Sequence, residues 1–282
     1  MSHWFENLPL TTPADLLAAT NWIILGGILL SVLEQLATHR QFTANEVYDW
    51  RVLKHGYRMF LEPRYERFFD ALFGYRAYVA NLVIQLAMVL LSAWQLWNGR
   101  STVVPTGVLL GLILLSNFRN SYGQDGADQM TSIVLTGLFF CGLAPESELV
   151  RYASLAFIGM QSILSYVTAG VYKAIAPSWR SGASLTLVLS TRSYGRPDLS
   201  GLLERNPPIS RTLAMGLIVF ECLFFVVLFL GPHWSVTFLA AGVLFHFLNA
   251  TIMGLNNFLW AFSASYPAVY FCALETSGWL YE

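Results

Sequence analysis

Val167-Thr-Ala-Gly-Val-Tyr-Lys-Ala-Ile-Ala-Pro-Ser-Trp-Arg-Ser-Gly182 closes an apolar run that begins at Leu149. A run of this kind, of about 20 residues, is long enough to cross a bilayer as a helix. It delivers Lys173 to its end. Pro177, Trp179 and Gly182 follow at once, and a helix does not pass unbroken through such a sequence. The stretch reads as a membrane helix that ends at an interface and turns into a cationic connection.

The rest of the chain repeats the pattern. Of 282 residues, 55% are hydrophobic and only 12% charged, where a soluble domain carries about 25% charged residues. The deficit runs along the whole chain, so the expected fold class is all-α: a polytopic membrane helical bundle. A net charge of −1 argues against a nucleic-acid partner. The bilayer itself is the expected partner, and the high aromatic content (15%) fits Trp and Tyr at two interfaces. Cys141, Cys222 and Cys272 each sit in an apolar run without CxxC spacing, as small buried hydrophobes do. No cleavable signal peptide is read at the N-terminus.

The apolar runs are Leu16–Ala37, Ala77–Trp97, Val103–Phe118, the short Met130–Ala144, Leu149–Tyr172, Thr212–Leu230 and the forty-residue stretch Ser235–Leu274. The last is either two helices broken near Tyr266-Pro267 or one long helix with a re-entrant tail. About seven transmembrane helices follow, in a single domain. Asn98–Val103 makes a tight hairpin. Thr38–Tyr75 is a basic, aromatic connection, and its second half, Tyr57–Phe73, reads as an amphipathic helix in the interface. The Gly-, Pro- and Arg-rich segment Ala174–Arg211 is a loop. The two basic connections, Thr38–Tyr75 and Lys173–Arg211, are separated by four runs and so fall on one face, which the positive-inside rule makes cytoplasmic. The expected location is the bacterial inner membrane.

Ionisable groups at membrane depth are costly and mark sites. Lys173 is either an interfacial anchor whose stem snorkels or a desolvated amine able to act as base or nucleophile. Glu221 lies near the middle of its run, where a carboxylate must be paired, neutral or cavity-facing. His246, Asn249, Met253 and Asn256 fall on one helical face, with Asn257 beside them, and read as cavity lining. In the polar block Phe118–Met130, Asp125 and Asp128 suit the start of a helix; Arg119, Asn120, Tyr122 and Gln124 crowd against them. No metal-ligand or phosphate-binding signature is present.

Three of these stretches together resemble the HTTM (horizontally transferred transmembrane) domain, the membrane part of vitamin K-dependent gamma-carboxylase and its bacterial relatives. They are Ala169-Gly-Val-Tyr-Lys-Ala-Ile-Ala-Pro-Ser-Trp179, Phe245-His-Phe-Leu-Asn249 with Phe258 and Pro267 downstream, and Arg119–Asp125. The resemblance spans most of the chain. It implies that Lys173 is the base that deprotonates a reduced, vitamin K-like quinone. It further implies His246 as the second catalytic residue at the cavity, with Glu221, Arg119, Asn120, Asp125, Asn249 and Trp179 supporting it. Asn120 stands where the carboxylase has a histidine important for carboxylation, and no large exoplasmic domain follows before Glu282. The cofactor it implies is a reduced quinone; a peptide substrate or a soluble partner chain is implied with it. The carboxylase works on the lumenal face, whereas the arginine count puts Lys173 on the cytoplasmic one. The alternative is a non-enzymatic transporter, accessory or immunity protein in which Glu221 and His246 line a polar path.

Overall fold

The structure, a computed structural model, describes residues 12–44, 46, 48–56, 61–120 and 125–281. Among them there are helices and no strands. Thirteen α-helices run in order: α1 Pro13–Ala37, α2 Trp50–Leu53, α3 Pro63–Phe73, α4 Tyr75–Trp97, α5 Val103–Arg119, α6 Gly126–Leu143, α7 Glu148–Ile175, α8 Pro177–Arg180, α9 Ala183–Ser190, α10 Pro197–Arg205, α11 Pro207–Cys222, α12 Pro232–Met253 and α13 Asn256–Tyr281. Six of them (α1, α3, α8, α10, α11, α12) begin on proline, whose fixed φ and missing N–H suit the first helical position. The prolines therefore start helices here more often than they stop them.

Four helices, α1, α4, α7 and α12, are long and apolar enough to cross a membrane, and α5 is a shorter apolar helix. Their outward side chains are apolar too: Leu90, Leu164, Leu244 and Phe247 are each about half exposed or more. A helix apolar on its outer face suits a lipid surround and not water. The protein is a helical membrane protein.

Two parts of the sequence are built differently from the expectation. The run Thr212–Leu230 is not one helix. α11 ends at Cys222, and the backbone tightens into a 3₁₀ turn over Phe224–Phe229. The tightening carries Phe224 against the ring of Tyr166, centroids 3.7 Å apart. The last apolar stretch breaks at Gly254 (φ 74°), not near Pro267, which sits inside α13. Gly254 takes the left-handed conformation and its N–H caps the carbonyls of Asn249 and Ala250, the usual glycine ending of a helix. Asn256 consequently belongs to the next helix and does not share a continuous face with His246 and Asn249. The segment 174–211 is also more regular than a loop, since it holds α8, α9 and α10.

The chain forms two compact units, one of residues 21–154 and one of residues 155–282 with the start of α1. In the first, the turn at Asn98–Thr102 joins α4 and α5 as an antiparallel hairpin. α3 presents Phe69, Leu72 and Phe73 to Trp50 and Leu53, and Glu66 and Asp70 border that contact. Lys54 reaches Glu66 (2.9 Å) and Asp70 (3.2 Å), and Trp50 Nε1 donates to Asp70 (2.7 Å). The Glu66 hydrogen bond raises the pKa of Lys54 above its ordinary value. Of the amphipathic stretch Tyr57–Phe73, residues 57–60 lie outside the described residues.

The polar centre of this unit is Arg119, 1% exposed. Its Nε donates to Phe73 O (2.8 Å), one Nη to Tyr48 O (3.1 Å) and the other to Asn120 Oδ1 (2.6 Å). Asn120 Nδ2 donates onward to the Tyr78 hydroxyl (2.9 Å), which donates to Gln35 Oε1 (2.6 Å). The guanidinium also lies 4.3 Å from the Tyr78 ring centroid. A buried cation is tolerable when its donors are met in this way. Replacing Arg119 by Leu is expected to lower the stability of the protein by about 3 kcal/mol, because three acceptors lose their donor. Lys at this position should recover little, lacking the planar fork. Thermal unfolding in detergent measures both; an unchanged midpoint for the Leu variant would contradict the assignment.

Candidate functional site: a cavity beside a buried ion pair

The second unit contains the buried pair Lys173–Glu221. Lys173 ends α7 and Glu221 ends α11. Their contact is bidentate, with Nζ 2.6 and 2.8 Å from the two carboxylate oxygens. The Glu221 side chain is 6% exposed and that of Lys173 20%. The helices can meet so closely because residue 170, one turn before Lys173, is glycine. A Cβ there would lie 2.5 Å from the backbone nitrogen of Cys222, so any side chain would hold α11 away and separate the charges. Trp179, on α8, covers the amine with its ring centroid 5.4 Å from Nζ.

The pair opens on a cavity of ≈ 230 Å³. Its polar lining is Lys173, Glu221, His246, Asn249, Ser165 and Tyr166; Phe245, Phe258, Phe262 and Leu217 close much of the rest. Behind His246 runs a hydrogen-bonded line: His246 Nε2 to the Tyr166 hydroxyl at 2.6 Å, and Tyr166 to the Tyr266 hydroxyl at 2.5 Å. Each of these three side chains is 5% exposed or less. One direction of donation leaves fewest buried groups without a partner. Tyr266 donates to Tyr166, and Tyr166 donates to Nε2. That order places the imidazole proton on Nδ1, which has no partner among the described residues. The opposite order would strand both the Tyr266 proton and the Nδ1 lone pair, and buried orphans of that kind cost free energy. The His246 ring lies near-parallel to those of Phe258 and Phe262, with centroids 6.2 and 4.7 Å away.

A second, apolar groove of ≈ 550 Å³ adjoins the cavity. The two share Leu185, Leu217, Phe245, Asn249 and Met253 as walls. Leu199, Leu202, Ile209, Leu213, Leu244 and Leu248 extend the groove, and several of these are half exposed on the outer surface.

The structure thus places Lys173, Glu221, His246, Asn249 and Trp179 around one cavity. It does not bring Arg119, Asn120 or Asp125 there. Those three belong to the other unit, where Arg119 and Asn120 are committed to the hydrogen-bonded line through Tyr78. Asp125 caps α6, accepting from the N–H groups of Ala127 and Asp128, while Asp128 accepts from the N–H of Asp125. Tyr122 and Gln124 lie outside the described residues. Tyr166 and Tyr266 were not legible as site residues; each is an aromatic in an apolar run, which ordinarily means core. Pro267 beside Tyr266 was read for its effect on the backbone. No cluster that could hold a metal ion occurs among the described residues.

Comparison of the chain with protein-family models, with curated proteins and with solved structures finds no match. The class rests on the fold and the cavity: an all-helical membrane protein with a buried acid–base pair at a cavity.

A double-mutant cycle on the pair gives a direct check. Glu221→Leu alone leaves the ammonium without its counter-charge and is expected to cost about 3 kcal/mol, whereas Lys173→Met with Glu221→Leu should recover most of it. Additive losses measured by unfolding in detergent would show that the two charges do not stabilise one another. Gly170→Val should resemble the Glu221 variant, because it drives the helices apart.

Proposed function

We propose that residues 155–281 form a membrane-embedded active site for a lipid-soluble substrate with a small ring as its polar head, such as a reduced quinone, and that the Lys173–Glu221 pair takes and holds a hydroxyl proton. The observation that carries this reading is the pair itself, buried beside a cavity in which it supplies the only charges. The resemblance to the HTTM domain points the same way.

The dimensions support the class of ligand. A cavity of ≈ 230 Å³ is below the range of about 300–1,000 Å³ for drug-sized ligands, so it suits a ring-sized head. The adjoining apolar groove suits the tail, which would reach the site from the bilayer and not through water. The polar groups fit a reduced quinone: Asn249 offers hydrogen bonds, the phenylalanines offer flat surfaces, and Lys173 offers a basic group. A reduced quinone held there supplies an acidic hydroxyl and two electrons.

The protein's part is proton handling. As an ion pair, Lys173 and Glu221 hold one acidic proton between two bases. Transfer of that proton from Nζ to the carboxylate leaves a neutral amine and a neutral acid without changing the net charge of the site. The amine then accepts a hydroxyl proton and becomes an ammonium, placed to stabilise the oxyanion left behind. Glu221 is the residue that lets Lys173 be neutral at the moment it is needed. The aromatic walls keep water away, which strengthens these interactions.

The same reading takes the chain as a polytopic protein of a bacterial cytoplasmic membrane with about seven crossings, and α3 as a helix lying in the interface. A peptide substrate or a soluble partner belongs to it through the resemblance alone. In the non-enzymatic alternative the same polar groups line a binding or transport path.

Lys173→Met keeps the apolar stem and removes the base. Made together with Glu221→Leu, so that no unpaired carboxylate is left buried, it is expected to reduce oxygen-dependent oxidation of phylloquinol by protein in nanodiscs by about 10²–10⁴-fold, with the yield of folded protein retained. Wild-type turnover in this variant would overturn the assignment. Phylloquinol binding without turnover by the unaltered protein would favour the non-enzymatic alternative.

A further inference from the structure

A third recess lies in the same unit and shares no lining residue with the cavity. It has a volume of ≈ 700 Å³ and is lined by Pro177, Arg180, Ser181, Pro207, Pro208, Arg211 and Thr212. No carboxylate lines it. Arg180 and Arg211 are exposed and make no side-chain hydrogen bond or ion pair with a described residue. This differs from Arg51, Lys54, Lys173 and Arg196, each of which is paired with an acid. Two hydroxyls, of Ser181 and Thr212, share the recess with the two free guanidinium groups.

The walls are fixed to one another. Gly182 has φ 86°, and a Cβ there would lie 2.6 Å from Ser210 C and Arg211 N. The Ser210 hydroxyl donates to Gly182 O at 2.8 Å and lies 2.9 Å from the Thr186 hydroxyl. The turn after α8 is therefore pressed on the start of α11, and each side of this contact carries one of the arginines. Three prolines at the first turns of the two helices stiffen the rim. The backbone positions of the two arginines are fixed next to one another, so both guanidinium groups can reach one anionic group.

The location indicates which anion. Pro177 comes two residues after the end of α7, one of the helices able to cross a membrane. Ile209 and Leu213, next to the recess on α11, present exposed apolar side chains. The recess thus sits where a membrane-spanning helix gives way to the polar connection. From Lys173 to Arg211 the chain carries six basic residues and two acids, Asp198 and Glu204, a balance that favours an anionic leaflet. The volume exceeds that of a phosphate ion and accommodates a phosphate with the glycerol of a lipid head. We infer that this recess binds the phosphate of an anionic phospholipid headgroup through Arg180 and Arg211.

The test uses the full chain in nanodiscs of mixed phosphatidylcholine and phosphatidylglycerol. Lipid that remains bound after transfer to detergent is measured by native mass spectrometry. The unaltered protein is expected to retain phosphatidylglycerol over phosphatidylcholine by roughly tenfold or more, the scale expected of two basic side chains at a membrane surface. The Arg180→Gln/Arg211→Gln protein should lose that preference. Arg192→Gln, which removes an equally exposed cation outside the recess, should keep it. Both arginines are exposed, so the double variant is expected to fold, and its unfolding midpoint in detergent verifies this. An unchanged preference in the double variant overturns the inference, as does an equal loss in Arg192→Gln, which would mean general charge attraction. A further arm titrates inorganic phosphate into delipidated protein. Stabilisation by phosphate that requires both arginines, with no lipid preference, would assign the recess to soluble phosphate and overturn the lipid claim.

Discussion

The second unit is organised around two opposite charges in apolar surroundings. An ammonium or a carboxylate alone at this depth would be intolerable, and together they are tolerable only in close contact. That requirement reaches into the backbone. Gly170 is needed so that α7 can approach α11. Glu221 must stand in the last turn of α11 to meet an amine at the last turn of α7. The 3₁₀ segment after Cys222 turns the chain away and brings Phe224 beneath Tyr166. The break at Gly254 then lets α13 return along α12, where Tyr266 completes the line to His246. Each step depends on the one before it.

The two units treat their buried polar groups in contrasting ways. In residues 21–154, Ser92 Oγ and Gln95 Oε1 are buried without a partner among the described residues, while Arg119, Asn120, Tyr78 and Gln35 form a hydrogen-bonded line. Such a network rigidifies and leaves little for a ligand to do. In residues 155–281, the line from Tyr266 ends at an imidazole whose second nitrogen has no partner among the described residues, and the ion pair borders open space. Unfinished polar valence beside a cavity is what a binding site looks like before its ligand arrives. Buried polar atoms without a partner occur in both units, and it is the ion pair at the cavity that distinguishes the second.

Much of this was legible in the sequence, and the failures have physical causes. Four of the apolar runs hold a helix long and apolar enough to cross a membrane and a fifth a shorter apolar helix, because hydrophobic length is a one-dimensional property. Lys173, His246 and Asn249 stood out because polar groups are rare in such runs. That Glu221 pairs with Lys173, 48 residues away, is a property of how helices pack, which no local spacing carries. Tyr166 and Tyr266 were missed because a hydroxyl on an aromatic ring is silent until its partner is known. Arg119 and Asn120 were grouped with the site by resemblance and by their crowding with acids. Their donors are in fact taken up by carbonyls and by Tyr78. The last stretch read either as two helices broken near Tyr266-Pro267 or as one long helix with a re-entrant tail, yet α13 runs through Pro267 while Gly254, one residue in a left-handed conformation, divides the stretch.

The central claim is that the cavity beside Lys173 and Glu221 holds the polar head of a lipid-soluble molecule. A density map of the protein purified in nanodiscs with its native lipids tests it most directly. The account predicts a flat head against Asn249 and the Lys173 amine, continuous past Leu217 and Phe245 with a tail in the groove lined by Leu213 and Leu248. A cavity filled by ordered water alone, or collapsed by side chains closing over the ion pair, would contradict it.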